Sequence, residues 1–299
     1  MAMLDITALI LTQNESLHIR RCLENVAPIA RRVIVVDSGS TDDTLDICRT
    51  LGAEVVTHLW PGNQAEQFNW ALDNIPIDTE WILRLDADEY LLPELITELE
   101  QRLPSLPLEV TGVELKRRHI FMGRWMKHGV YPVIILRLFR SGKGRYESRL
   151  MDEHITLTEG RSMVMEHDFC DHSLINLSDY CRKHVGYAER EAAMALDEEY
   201  ALSGESQQLH LGEQAQRKHR TKSRYYRMPL FLRSFAYFLY RYVLRGGFLE
   251  GKEGFLFHFI QGWWYRSLVD AKIYEIKKAT GGDREKIREH FRTTYGISL

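Results

Sequence analysis

Short runs of branched apolar residues alternate with segments of helical period through the first 90 residues, and that alternation most constrains what the chain can become. Residues 6–11, 33–36, 54–59 and 81–85 read as strands. The first, second and fourth are nearly unbroken apolar runs, the mark of strands covered on both faces. Leu17, Ile19, Cys22, Leu23 and Val26 recur at helical spacing up to Pro28. Residues 44–51 read as a short helix closed by Gly52, and residues 65–72 as another. Strand and helix in strict alternation predict a parallel sheet with right-handed crossovers. A further helix runs from Pro93 to about residue 103, and 104–107 is a proline-bounded linker. Beyond it residues 113–116 alternate and 133–139 are apolar, the pattern of mixed strands; residues 176–202 return to a long helical pattern. A chain of 299 residues has room for one large α/β domain and a smaller appendage.

Open sheets of this kind bind ligands at the carboxyl edge of their strands. The strand at 81–85 ends in Asp86-Ala87-Asp88. Two carboxylates this close repel unless a cation lies between them, and a hard divalent ion such as Mg²⁺ or Mn²⁺ bridging a diphosphate suits oxygen ligands. Asp37 ends the second strand, where a carboxylate can accept from a nucleobase imide or a ribose hydroxyl, or serve only the Asp37-Ser38-Gly39 turn. Thr12, Asn14 and Glu15 follow the first strand onto the same edge, with Asn14 equally suited to capping the next helix. Asn69, inside a helical segment, either holds a loop over a base or satisfies backbone groups.

Composition excludes several classes. The formal net charge of −3 gives the whole chain no attraction for polyanions, so no nucleic acid is expected as a partner. The four cysteines have neither metal-finger nor redox spacing, which points to reduced thiols in the cytoplasm. The N-terminus lacks the pattern of a secretory signal, and no apolar run approaches the roughly 20 residues of a membrane span. Between Glu213 and Glu250 there is no acidic residue, whereas Arg217, Lys218, Arg220, Lys222, Arg224, Arg227, Arg233, Arg241 and Arg245 are interleaved with aromatic residues. This stretch reads as a basic amphipathic segment suited to a lipid interface; helix packing with snorkelling arginines and nucleic-acid binding are the competing readings. Glycines punctuate 246–254 before a strongly apolar helical pattern resumes at 255–272.

Val35-Val36-Asp37-Ser38-Gly39-Ser40-Thr41-Asp42-Asp43-Thr44, then Leu85-Asp86-Ala87-Asp88-Glu89, preceded by Ile10-Leu11-Thr12-Gln13-Asn14-Glu15, together resemble glycosyltransferase family 2, which has the GT-A fold. The resemblance covers about residues 4–100; the rest is most similar to the bacterial branch containing lipopolysaccharide-core and exopolysaccharide glucosyltransferases. It implies an α/β fold, a mostly parallel sheet flanked by helices, with a C-terminal helical, membrane-facing extension. The implied domains are a catalytic domain over 1–215, divided into a nucleotide half (1–103) and an acceptor half (104–215), and an extension over 216–299. The implied activity is inverting transfer from a nucleotide-diphosphate sugar, a UDP-sugar and by family frequency UDP-glucose, with Mg²⁺ or Mn²⁺. The acceptor would be a lipid-linked glycan, met at the inner face of the cytoplasmic membrane.

The resemblance also assigns roles. Asp37 would hold the uridine, Asp86 the ribose or the metal, and Asp88 the metal. Many relatives carry an arginine where this chain has Phe68, just before Asn69; Arg84 is the candidate cation to replace it at the diphosphate. The base would be a carboxylate of Met151-Asp152-Glu153-His154. Relatives carry either Glu-Asp or His-Glu at this place, so Asp152, the preferred one, and Glu153 both stand. His167, in Glu166-His167-Asp168, would complete the metal shell, with His172 second. A sugar nucleotidyltransferase would need a glycine-rich loop with Arg and Lys after the first strand, and Thr12-Gln13-Asn14-Glu15 supplies none. A non-catalytic, membrane-associated nucleotide-sugar-binding scaffold is the alternative reading.

Overall fold

The computed structural model describes residues 3–147, 154–202 and 225–299. The chain divides into two compact units, Met1–Leu174 and Ile175–Leu299.

In the first unit, β1 (Leu4–Thr12), α1 (Ile19–Val26), β2 (Ala30–Asp37), α2 (Thr44–Thr50), β3 (Glu54–Thr57), α3 (Gln64–Asn74) and β4 (Trp81–Asp86) alternate as the sequence pattern predicts. After them come β5 (Glu89–Leu91), α4 (Pro93–Arg102), β6 (Val110–Phe121), β7 (Arg124–Trp125), β8 (Val133–Arg140), β9 (Gly144–Tyr146), β10 (Ile155–Leu157) and β11 (Arg161–His172). The main sheet has the order β3-β2-β1-β4-β8-β6-β11-β5, with β7 paired to β6. The neighbours β3-β2, β2-β1, β1-β4 and β6-β11 are parallel; β8 runs against both β4 and β6, and β5 against β11. β1, β2, β4 and β6 therefore all end at one edge. This mostly parallel sheet flanked by helices is the GT-A-like architecture that the resemblance implies.

The apolar runs follow from the two layers around the sheet. On β1, Ile6, Ala8 and Ile10 pack with Cys22, Leu23 and Val26 of α1 and with Leu95 and Leu99 of α4. Leu9 and Leu11 turn the other way, to Phe68 and Ala71 of α3. A strand covered on both sides has no polar face to alternate. Two asparagines tie short strands to neighbouring helices. Asn25 of α1 donates to Leu91 O at 3.0 Å and accepts from Leu91 N at 2.8 Å. Asn69 of α3 does the same with Tyr146, both at 3.0 Å.

The second unit holds α5 (Leu177–Tyr200), α6 (Leu232–Leu239), α7 (Gly251–Phe257), α8 (Tyr265–Thr280) and α9 (Arg284–His290), with short helical turns between α6 and α7 and between α7 and α8. Ala188, Ala192 and Leu196 of α5 pack with Val269, Ile273 and Ile276 of α8, so α5 belongs to this unit. The compact units thus part at 174, because the small apolar face of α5 finds its partner in α8, and the boundary expected at 215 lies outside the described residues.

One bulge deforms the sheet. Val164 pairs with Glu114 and Asp168 with Lys116, so extra residues of β11 stand against Leu115 and leave the ladder. The buried carboxylate of Glu98 on α4 takes up the freed groups. It accepts from the amides of Glu166 and His167, each at 3.0 Å, from His167 Nδ1 at 2.9 Å and from Arg102 at 2.7 Å. Burial alone would raise the Glu98 pKa, but these donors together bring it below the ordinary value. A depressed carboxylate stabilises the fold above its unfolded pKa of about 4.3 and ceases to do so as pH falls through its folded value. Glu98→Gln should therefore lower stability at pH 7 by about 1–3 kcal/mol, and the difference should shrink at pH 3, as paired urea melts would show.

Candidate active site at the carboxyl edge

Register brings the strand ends together. Thr12 stands opposite Asp37, and Leu11 opposite Asp86, so β1 is flanked by an aspartate on each side. Asp37 is fully buried at the end of β2. Its Oδ2 accepts from the amides of Gly39 (2.8 Å) and Ser40 (2.9 Å), and its Oδ1 from Ser40 Oγ (2.5 Å) and Thr12 Oγ1 (3.3 Å). Gly39 holds φ at +94°, which lets the loop fold back on the carboxylate. Four donors fill the acceptor positions of a carboxylate. The turn reading of Asp37 is thus realised, and a ligand could reach it only where Ser40 or Thr12 rotates its hydroxyl away.

Asn14 does not cap α1. It sits at φ 56°, accepts from Thr41 N at 2.8 Å, and donates its own amide to Ser40 Oγ at 2.8 Å. The backbone amide of Glu15 bonds Thr44 Oγ1 at 2.8 Å. The loops after β1 and β2 are therefore laced into one ledge. The Glu15 carboxylate accepts from His18 Nδ1 at 2.6 Å, while His18 Nε2 accepts from the Leu174 amide at 2.8 Å, an arrangement that fixes the ring proton on Nδ1.

A charge cluster that short-range pattern could not reveal lies beneath the end of β4. Arg84, 2% exposed, binds Asp86 through both Nη atoms, at 2.6 and 2.7 Å. Glu89, buried at the start of β5, accepts from the Asp86 amide at 2.9 Å and pairs with the buried Arg137 of β8. Arg137 also lies 3.7 Å from Asp86, and Arg84 3.7 Å from Glu89. Gln64, in the first turn of α3, donates to Asp86 Oδ1 at 2.9 Å. Burial pushes the Glu89 pKa up against the pull of Arg137 and Arg84. Arg84 is desolvated too, yet Asp86 and its neighbours hold its pKa above the ordinary value.

This geometry gives Arg84, Asn69 and His167 partners within the protein. Arg84 is no surface cation for a diphosphate, since its guanidinium lies under Asp86 and is committed to it. Asn69 spends its amide on the backbone of Tyr146, the second of its two readings. Phe68, just before Asn69, is buried against Tyr146 and Phe139, with ring centroids 5.2 and 6.2 Å apart. His167 lies in the bulge, bound to Glu98, roughly 15 Å up β11 from the chain's approach to Asp88 at ordinary strand rise. His172 makes that approach: its amide bonds Asp88 O at 3.1 Å. Arg21 of α1 joins them, donating to Asp88 O (3.1 Å), His172 O (2.6 Å) and His172 Nδ1 (3.1 Å). Burial and Arg21 both lower the His172 pKa, so the ring is neutral near pH 7 and keeps its lone pair on Nδ1. Asp152 and Glu153 lie outside the described residues.

The donor chemistry of this edge fits a hard cation held partly by a ligand. Among the described residues no three His, Cys, Asp or Glu side chains gather closely enough to cage an ion. The Asp88 carboxylate supplies the kind of partial shell that Mg²⁺ or Mn²⁺ completes with phosphate oxygens and water, and the His172 amide holds its main chain.

The model of Glycosyl transferase family 2 matches residues 7–170, just over half of the 299 residues. The chain belongs to this family. The match covers all three strand-end motifs and stops short of the second unit. An uncharacterized glycosyltransferase of Rickettsia prowazekii (strain Madrid E) is 41% identical over 98 residues, 33% of this chain and 32% of that protein. The lipopolysaccharide core biosynthesis glycosyltransferase LpsC of Rhizobium meliloti (strain 1021) is 30% identical over 154 residues, 48% of this chain and 54% of LpsC. The chain thus spans about a third of the first of these relatives and about half of the second. Among solved structures, glucosyl-3-phosphoglycerate synthase from Mycobacterium tuberculosis, crystallised with Mn²⁺, UDP and glucosyl-3-phosphoglycerate, is similar at 24% identity and a TM-score of 0.32. That likeness covers 38% of this chain and 43% of the synthase.

The charge cluster of this family 2 chain makes a direct prediction. Arg84→Met removes a buried cation and leaves the half-buried Asp86 and the buried Glu89 with Arg137 alone, so unfolding free energy should fall by about 3 kcal/mol. A chemical melt of the ligand-free protein checks this. An arginine that served only a diphosphate would leave that melt unchanged.

Proposed function

We propose that this chain moves a sugar from a nucleotide-diphosphate donor, a UDP-sugar such as UDP-glucose, to a lipid-linked saccharide, with inversion at the anomeric carbon. The product would be part of lipopolysaccharide or another bacterial surface polysaccharide, built at the inner face of the cytoplasmic membrane. The observation that carries this reading is the register at the carboxyl edge, where Thr12, Asp37 and Asp86 stand on three adjacent strand ends. Family membership supports glycosyl transfer, and the name of LpsC supports lipopolysaccharide as the destination.

In this reading the ledge of Thr12, Asn14, Glu15 and Asp37 receives the nucleoside. Asp86, its carboxylate oriented by Arg84 and Gln64, faces the ribose, and Asp88, its main chain fixed by His172 and Arg21, holds Mg²⁺ or Mn²⁺. The bound cation would neutralise charge that develops on the departing diphosphate. Arg21 keeps the Asp88 main chain and His172 in register while the site is loaded. An inverting transfer also needs a base at the acceptor hydroxyl, opposite the leaving group; Asp152 or Glu153 takes that proton.

UDP release from UDP-glucose with Mn²⁺ tests the assignment. Asp88→Ala should lower the rate by about 10²–10³. His172→Ala should raise the Mn²⁺ concentration for half-maximal rate about tenfold or more, whereas His167→Ala should leave it unchanged. Of Asp152→Asn and Glu153→Gln, one should cost about 10²–10⁴ in transfer to acceptor while donor binding persists. Equal UDP release by wild type and Asp88→Ala would remove the donor site from this edge.

A further inference from the structure

The helical unit contains a stretch folded inside out with respect to water. α6 and the turn that continues it, Tyr240–Leu244, bury their cations and, Phe238 aside, expose their large aliphatic and phenylalanine side chains. Arg233 is 2% exposed, held by Asp270 at 2.7 Å and by Tyr226 O at 2.9 Å. Arg241 is 4% exposed, its guanidinium lying between the rings of Tyr237 and Phe257 at 5.4 and 5.3 Å. Outward point Leu232, Phe235, Val243 and, at 77% exposed, Leu244. The chain then reverses at Gly246 and Gly247 and presents Phe248 and Leu249. A side chain at Gly247 would meet His258 at 2.3 Å, and one at Gly254 would meet the Gly247 carbonyl at 2.5 Å, so the close reversal depends on both glycines. Of the 22 exposed large apolar residues among those described, 11 lie between Met228 and Phe255.

We propose that this outward face, with the 244–249 reversal at its tip, docks on an anionic lipid bilayer. The proposal rests on the lipid-linked acceptor reading for its purpose, but its test does not require turnover. Charge argues for this occupant. Arg227, Arg245 and Lys252 are exposed along the same stretch, no acidic residue occurs from 225 to 249, Glu250 is buried and Glu253 is half-buried, so the exposed charge is positive. Cations beside an apolar, aromatic-rich face suit negatively charged headgroups. A second copy of the same face would set cation against cation across a two-fold contact. Residues 203–224 carry only Leu209 and Leu211 as large apolar residues, too few to cover 11. Among the described residues no helix is long and apolar enough to cross a membrane, so the contact lies in the interface.

Sedimentation of the full chain with vesicles tests this. Wild type should bind phosphatidylcholine vesicles containing phosphatidylglycerol, bind pure phosphatidylcholine more weakly, and lose the difference in 1 M salt, where the Debye length is about 3 Å. The double substitution Leu244→Glu, Leu249→Glu should lower partitioning on the order of tenfold or more, with circular dichroism, melting and UDP binding unchanged. Lys286→Glu, an exposed change on α9, should leave partitioning as it is. Failure of wild type to bind the anionic vesicles, or wild-type partitioning by the double variant, overturns the proposal. So does self-association of wild type that the same double substitution abolishes without any vesicle binding. Loss of UDP binding in wild type together with intact vesicle binding would instead overturn the donor-site reading and leave this one standing.

Discussion

Two arginines and Glu89, buried under the end of β4, together with the half-buried Asp86 govern how this sheet meets its ligand edge. Arg84 and Asp86 point to the same side of β4, and Glu89 and Arg137 close the set from β5 and β8. Each ion would be costly to bury alone, so each is retained only while the others are in place. Interlocking of this kind leaves few ways to shift the turn after β4. The Asp86 amide is tied to Glu89, its carboxylate to Arg84 and Gln64, and the Asp88 main chain to Arg21 and His172. The acidic motif is therefore a rigid feature of the edge.

The alternation of the first half was legible because local period and burial coincide there. β1, β2 and β4 are covered on both faces, and an unbroken apolar run reports that directly. The edge on which Asp37 and Asp86 stand was legible too, since parallel strands joined by right-handed crossovers end together. What escaped is set by partners distant in sequence. Nothing near Arg84 announces Arg137, and nothing near Glu98 announces the bulge that captures His167. The histidine that reaches Asp88 escaped for that reason: β11 is far longer than the three-residue apolar run within it suggests, so the strand end beside Asp88 is His172 and not His167. The same lesson holds for α5, whose alanine-rich face has no mark of ownership until α8 is seen against it.

The helical unit shows a different limit. In sequence, the interleaved arginine and aromatic residues read as a basic amphipathic segment suited to a lipid interface, with helix packing by snorkelling arginines as a competing reading. In the structure Arg233 and Arg241 turn inward, between aromatic rings and Asp270, and it is leucine, valine and phenylalanine that face out. Hydrophobic periodicity gives the phase of a helix but not which phase faces the protein. Here the buried acid on α8 decides it, because Asp270 at that position needs a cation and Arg233 is the residue that reaches it.

The asparagines at 25 and 69 have a consequence for how the molecule behaves in a crowded solution. A carboxamide offers one donor and one acceptor at nearly the spacing of a peptide unit, so each side chain mimics a single residue of an absent neighbouring strand. β5 and β9 are three residues long, and a carboxamide holds the outward amide and carbonyl of Leu91 in one and of Tyr146 in the other. Sheets left open at such places recruit strands from other chains. By terminating the ladder with a side chain, these two residues make the pairing self-limiting and protect the fold against edge-to-edge aggregation.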